Sequence, residues 1–478
     1  MTINEFNECT QKLRSSSMFY MSLGSKELFH SNFLQWLSVT DWKFFIKIMH
    51  TLSNQEEKYW WEDFDQSIIE VRRECLNFDL SIWVLDNSGE IDEKERWIPV
   101  LILENKMKSL PYRQQLEDYV DKAFDYWRKG KSTVDIKSEI EEAKKGKCWK
   151  TSYGITLIVL SLLAPTNIID LQEPIIEKLQ YGRKVVHEMQ IEFSWVCKTY
   201  NDLYKAIAIN EGAYAPIGDR EFFNKILNDY STFICNLYKI ADKDWQINET
   251  DCYMERLCPR GLQDSNDEKK KIIELDSLRI ADIREKICYD QLLNLLVGKM
   301  KDRGFANVQR LKPEDISPRK GVRGEFRCRT NYFHNVGLFE VIFLIKERDS
   351  KIENDEPFFL TIQIQGNYYT HGISGKNIVK KGELGNGIGD FFKNRKLNEE
   401  VWKSNLSFFF DFSQKQNKIA GLSIKENGTF YKYGSNFIYQ CAEIPDDLKI
   451  DALLDKILDD VSAIEIEREK GKLEWPIK

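Results

Sequence analysis

At 478 residues the chain is longer than one hydrophobic core usually supports, so two globular units are expected. Its 42% hydrophobic, 13% aromatic and 30% charged residues exclude a disordered chain and supply enough apolar surface for ordinary soluble cores. A formal net charge of −7 excludes a protein that coats nucleic acid through bulk positive charge, yet leaves room for an enzyme that approaches phosphate through bound cations and a local basic strip.

The opening stretch MTINEFNECTQKLRSSS lacks an apolar core behind basic residues, and no run reaches the roughly 18 to 20 apolar residues of a membrane span. A cytoplasmic protein with no membrane partner is therefore expected. The ten cysteines are scattered without a C-x-x-C pair, the pattern of reduced thiols; Cys252 and Cys258 lack the second Cys or His pair of a zinc site.

From Ser25, a fitting N-cap, SKELFHSNFLQWL places Phe29, Phe33, Trp36 and Leu37 at helical spacing. SIIEVRREC and FDLSIWVL are β-rich runs separated only by Leu76 and Asn77, which predicts a hairpin. After a charged turn over 86–96, WIPVLILENK is apolar on both alternations, the pattern of a central strand covered on both faces. Tyr112 to Lys129 carries one apolar stripe of Leu116, Val120, Ala123 and Trp127, and so predicts a helix. Lys131 to Lys150 is a Lys-rich excursion, and GITLIVLSLLAP predicts another buried strand stopped by Pro165.

Helices are expected for IEFSWVCKTYNDLYKAIA and EFFNKILNDYSTFICNLYKIA, and a linker or exposed loop for 246–271. Further helices near 280–303 and 450–470 enclose the strand-like runs LFEVIFLI, FFLTIQIQ, LSFFFDF and FIYQCAEI. The organisation is a mixed α/β domain over 1–245, with its core about 25–165 and a helical extension, then an α+β domain over 272–478 whose role the sequence leaves open.

The chemistry lies in FDL, ENK and QLEDY. Residues two apart on a strand face one side, so Glu104 and Lys106 project together, and the strand order brings Asp79 beside them. Two carboxylates next to a lysine suit phosphodiester hydrolysis. Their hard oxygens hold Mg²⁺ or Mn²⁺, which polarises phosphate and acidifies a bound water, while the lysine orients water, deprotonates it or neutralises charge. The plainer alternative is that Glu104 and Lys106 pair with each other at the end of a buried strand.

In order and spacing, FDLSIWV, the charged turn, PVLILENKM and RQQLEDYVDKA resemble the core of the PD-(D/E)XK nuclease superfamily, in particular bacterial members joining an I-E-N-K strand to a Q-L-x-x-Y helix. ELFHSNFLQWL resembles their N-terminal helix. The resemblance covers roughly residues 25–165 and departs from the eponymous motif in having Phe78 where the name has Pro. It implies a restriction-endonuclease-like mixed sheet flanked by helices. Asp79 and Glu104 would be metal ligands, Lys106 the catalytic lysine, the Asn105 carbonyl a further ligand, and Glu27 a helix-borne acid at the metal. Gln115 and Tyr119 would order phosphate or water.

Each supporting residue also has a structural reading. Tyr119 borders its helix's apolar stripe, Glu27 suits a helix N-terminus through the dipole, Glu74 could take the place of Glu27, and His30 fits a satisfied core histidine. RKGK at 128–131, KKGKCWK at 144–150 and PRKGVRGEFRCR at 318–329 are candidate substrate-guiding strips, or else solvated faces. ELGNGIGDF at 383–391 lacks the Gly-Lys-Ser/Thr of a P-loop, and QIQGNYYTHG at 363–372 reads as a strand entering an aromatic turn. The expected activity is metal-dependent cleavage of nucleic acid, DNA first, in a prokaryotic restriction or antiviral-defence setting. The alternatives are a ribonuclease with the same site and an inactive nucleic-acid-binding or assembly protein. A homo-oligomer, or a partner protein held by the C-terminal domain, is left open.

Overall fold

In the computed structural model the two β-rich runs flanking Leu76 and Asn77 form the expected hairpin, β1 (Ile69–Cys75) antiparallel to β2 (Phe78–Leu85). Both turn residues hold left-handed φ, 58° and 68°, as a type I′ turn requires to match strand twist. Asn tolerates that region; Leu76 adopts it at a cost of about 1 kcal/mol, offset by packing against the cluster around Phe78, Leu116 and Tyr119.

The structure describes residues 1–23, 26–54, 59, 61–85, 97–108, 110, 115–116, 118–119, 122–123, 155–163, 175–178, 190–193, 195–210, 220–305, 308–310, 326–333, 336–346, 358–375, 406, 408–409, 423–424, 431–433 and 437–473. They fall into two units, Met1–Asp244 and Trp245–Lys478. Among the described residues no helix is long and apolar enough to cross a membrane.

In the first unit, β3 (Trp97–Lys106) is the central strand, buried from Ile98 to Lys106. It pairs antiparallel with β2 and parallel with β4 (Thr156–Ser161). β5 (Ile175–Lys178) and β6 (Gln190–Phe193) form a separate antiparallel pair. β7 (Val196–Thr199) pairs parallel with β4, giving a five-stranded mixed sheet in the order β1-β2-β3-β4-β7. The helical reading of 191–208 is thus corrected in its first half. Tyr200 starts a helix, but Val196, Cys197 and Thr199 form the sheet's edge, where β-branched and half-buried positions favour a strand.

The helices of this unit are α1 (Ile3–Ser15), α2 (Ser17–Ser22), α3 (Lys26–Thr40), α4 (Trp42–Ser53), α5 (Tyr200–Asn210) and α6 (Arg220–Asp244). Thr2 and Glu5 close a capping box on α1. Asp41 caps α4 by accepting the Phe44 N–H at 3.0 Å. α3 packs on β1, β2 and β3, and it meets α6 through Phe33 stacked on Tyr230 at 3.6 Å. Of the helix expected over 112–129, the described residues Gln115, Leu116, Asp118, Tyr119, Lys122 and Ala123 are helical. Ser25, the charged turn 86–96 and the excursion 131–150 lie outside the described residues.

The second unit opens with α7 (Tyr253–Leu257), α8 (Asp267–Ser277) and α9 (Ala281–Asp302). Residues 246–271, read as a linker, are instead built into it: Tyr253, Met254 and Leu257 are buried. A sheet follows of β8 (Val308–Arg310), β9 (Phe326–Phe333), β10 (Val336–Lys346), β11 (Phe358–Gln365), β12 (Tyr368–Gly375), β13 (Ser423–Ile424), β14 (Tyr431–Tyr433) and β15 (Phe437–Glu443), antiparallel except for β8 beside β9. α10 (Ile450–Glu469) ends the element order.

α9 and α10 cover one face of this sheet. Thr330 donates to Asp290 at 2.5 Å, and Tyr369 donates to Asp460 at 2.6 Å. The aromatic turn expected in 363–372 is the β11–β12 hairpin, whose Gly366 has φ +57° at the first of its two turn positions. LSFFFDF is corrected from strand to helix at its described residues Leu406, Phe408 and Phe409. A short apolar run has no period that separates the two states.

Candidate active site

The β2–β3 ladder ends at Leu80 opposite Leu103. One step further, Asp79 faces Glu104, and cross-strand neighbours share a side of the sheet. Beyond the ladder the Asp79 side chain takes over the backbone's part, its Oδ2 accepting the Asn105 N–H at 2.6 Å. The site therefore sits at the carboxyl end of β3, where open α/β sheets bind ligands.

Glu104 is the hub. Its Oε1 pairs with Lys106 Nζ at 2.6 Å and accepts from Gln115 Nε2 at 2.9 Å and from the Tyr119 hydroxyl at 3.3 Å. Gln115 Nε2 also donates to the Tyr119 hydroxyl at 2.9 Å, so the residues one helical turn apart brace the same oxygen. Phe78 meets the Tyr119 ring edge-on at 5.5 Å, which fixes that ring from below. Glu104 Oε2, in contrast, is buried with no hydrogen-bond partner. The ion pair of the plainer alternative exists, but as one part of a five-residue constellation.

Burial raises the Asp79 carboxyl to about 8, with Glu104 adding repulsion and Lys106 and the Asn105 N–H opposing it. Glu104 is likewise raised, first by burial, with Lys106 offsetting it, and its carboxyl lies within hydrogen-bonding reach of Asp79. Burial pulls Lys106 down, but Glu104 and then Glu27 outweigh it and hold the amine above its ordinary value. Without a metal Lys106 is thus a cation, which fits orienting water or neutralising charge. Burial and then Glu104 raise Tyr119, which keeps its hydroxyl proton to donate.

Two buried acids facing each other, one with an orphan oxygen, fit a hard divalent cation. Asp79 and Glu104 Oε2 are the oxygens that would hold it. Among the described residues no group of three His, Cys, Asp or Glu side chains stands ready to ligate. Mg²⁺ needs no such cage, since it keeps several waters and takes one or two carboxylates.

Glu27 lies near enough for its charge to raise Asp79, Glu104 and Lys106, and its Oε1 accepts the Lys108 N–H at 3.0 Å. Glu74, its stand-in, is exposed with φ 52°. Asn105 offers its N–H to Asp79, while its buried side chain turns to the opposite face and donates to Ser31 Oγ at 2.6 Å. His30 is the satisfied core histidine: it contacts the Tyr230 hydroxyl at 2.9 Å and Met107 Sδ at 3.2 Å, and burial lowers it to about 3.

Ser31 entered the sequence reading only as half of the His-Ser pair by which ELFHSNFLQWL resembles the family's N-terminal helix, with no role assigned to it. The available signal was its spacing of four from Glu27, which puts both on one face of α3. The strips at 128–131 and 144–150, residues 318–325, and 383–391 lie outside the described residues. The described arginines of the third strip do not form a solvated guide. Arg327 is buried on β9, and Arg329 pairs with buried Glu340 on β10. Alternation puts both on the face of β9 opposite Thr330, the residue that meets α9. No family model, curated protein or solved structure matches the chain.

Proposed function

We propose that the first unit is a divalent-metal-dependent nuclease of the PD-(D/E)XK type, with a restriction-endonuclease-like core, that hydrolyses phosphodiester bonds of DNA. The observation that carries this reading is Glu104: three donors gather on Oε1, and Oε2 is left buried without a partner beside Asp79. A cation held between the two acids would satisfy that oxygen.

Bound Mg²⁺ or Mn²⁺ would supply Lewis acidity at the phosphate and a more acidic water. The chain's own residues do the rest. Asp79 and Glu104 would hold the cation, and the Asn105 N–H aims the Asp79 carboxylate. Gln115 and Tyr119 hold Glu104 in one rotamer, so that Oε2 and not Oε1 is presented. Lys106, charged and nearly buried, orients water or neutralises the phosphate as charge develops. Glu27 adds negative charge at the rim. The second unit recognises a substrate, partner or trigger, and the setting is prokaryotic restriction or antiviral defence.

A second reading, an inactive nucleic-acid-binding protein, draws on the Lys106–Glu104 ion pair at 2.6 Å, which neutralises Glu104 without metal. The test is cleavage of linear, circular and single-stranded DNA and of RNA, with Mg²⁺ or Mn²⁺ against EDTA. Metal-dependent cutting abolished by Asp79→Ala and lowered at least about 100-fold by Lys106→Ala supports the nuclease, and the substrate cut decides between DNA and RNA. Nucleic-acid binding without cutting, unchanged in both variants, favours the second reading.

A further inference from the structure

On α3, Glu27, His30 and Ser31 each touch the chain as it leaves β3. Glu27 accepts from the Lys108 N–H, His30 meets Met107 Sδ, and Ser31 Oγ accepts from Asn105 Nδ2 at 2.6 Å. Ser31 and Asn105 are both fully buried, and Asn105 Oδ1 has no partner. A buried amide satisfied on one side only is a poor stabiliser, because the orphan oxygen costs desolvation that an apolar side chain of similar size would not. Its position explains what it does. The same residue's N–H is the donor that holds Asp79 Oδ2, and the ladder from β2 has already ended two residues earlier.

We propose that Ser31 is a positioning residue, acting through Asn105: by clamping the Asn105 side chain it fixes the peptide whose N–H aims Asp79 at the cation shared with Glu104. The inference rests on the metal-site reading above. Supports that orient a ligand typically carry about 10- to 100-fold in metal affinity. Ser31 reaches Asp79 through Asn105, whose side chain it holds and whose N–H holds Asp79 Oδ2, so its loss acts by misdirecting Asp79.

The test is calorimetric titration of Mn²⁺ alone into the full chain, wild type against Ser31→Ala, Asn105→Ala and the double variant, with melting in EDTA as control. The expected result is Mn²⁺ binding weakened about tenfold in each single variant, no further loss in the double variant, and folded protein throughout. Equal binding by wild type and both single variants overturns the proposal, as do additive losses in the double variant, which would show two independent routes. Should Ser31→Ala fail to fold, Asn105→Ala alone decides, since it removes the clamp without changing the helix. Wild type that binds no Mn²⁺ overturns the metal-site reading itself, an outcome distinct from wild-type binding that Ser31→Ala leaves intact.

Discussion

Asp79 Oδ2 accepts the Asn105 N–H at 2.6 Å, one step past the last backbone pair of β2 and β3, so a side chain finishes a ladder that the main chain has abandoned. This cross-link makes Asp79 part of the sheet and of the site together, and it ties the protein's stability to the ionisation of one acid.

Without metal, stability should fall as pH rises. Asp79 is raised in the fold to about 8 from an ordinary value near 4, so between those values the folded state holds a proton that the unfolded chain has released. The protonated form is the one the fold favours; its contribution is present at low pH and lost as pH climbs toward 8. Melting in EDTA from pH 5 to pH 8 should show Tm dropping, and Asp79→Asn should flatten that drop. A Tm that climbs across this range in wild type would refute the expectation.

Mn²⁺ should restore what pH removes. Saturation at a hundred times Kd adds about 2.7 kcal/mol to a fold that binds metal only when folded, and the added stability should be larger at pH 8 than at pH 5, where Asp79 is still protonated. Glu104→Ala should abolish it. Thermal shift with and without Mn²⁺ at both pH values is the measurement.

Lys106→Ala should lower cleavage about 100- to 1,000-fold, the loss usual for one preorganised charge. Tyr119→Phe should be milder. It removes the longest bond to Glu104, at 3.3 Å, while keeping the ring against Phe78, so melting should change by less than about 1 kcal/mol. Steady-state cleavage and melting of both variants would check the order.

In the second unit, Asp460→Ala should be severe. One carboxylate takes the Tyr369 hydroxyl at 2.6 Å, His371 Nε2 at 2.8 Å and Lys456, all buried. Burial pushes this acid up, but His371 and Lys456 hold it below its ordinary range. Removing it leaves the buried Lys456 ammonium without its counter-charge, at about 3–5 kcal/mol. Denaturant unfolding should show the loss.

Gly337→Ala tests packing beneath the same sheet. An added Cβ would stand 2.3 Å from the Tyr289 ring, so overpacking should cost about 1–3 kcal/mol. Melting of the variant reads it, and an unchanged Tm would show that the ring can move aside.

The hairpin, the central strand and the trio Asp79, Glu104 and Lys106 were legible because a strand's period of two assigns faces without knowledge of the rest of the fold. Gln115 and Tyr119 came from the resemblance of QLEDY to a Q-L-x-x-Y helix, their spacing of four putting both on one face. What escaped depends on partners distant in sequence. Ser31 gains its role only when α3 lies over Asn105, 74 residues away. Residues 246–271 looked like a linker because they are polar, yet their charges neutralise one another in pairs, as Arg256 does with Asp251 at 3.3 Å and Lys271 with Glu268 at 2.7 Å. β7 was hidden inside a segment whose latter half is truly helical.

The turn at Leu76 and Asn77 fixes the phase of β2 by its length. Because strand faces alternate at every residue, one residue inserted there would carry Asp79 to the far side of the sheet from Glu104. A chain altered in that way could keep its hairpin and lose its paired acids, so a count of two in a surface turn separates a site-bearing sheet from a silent one.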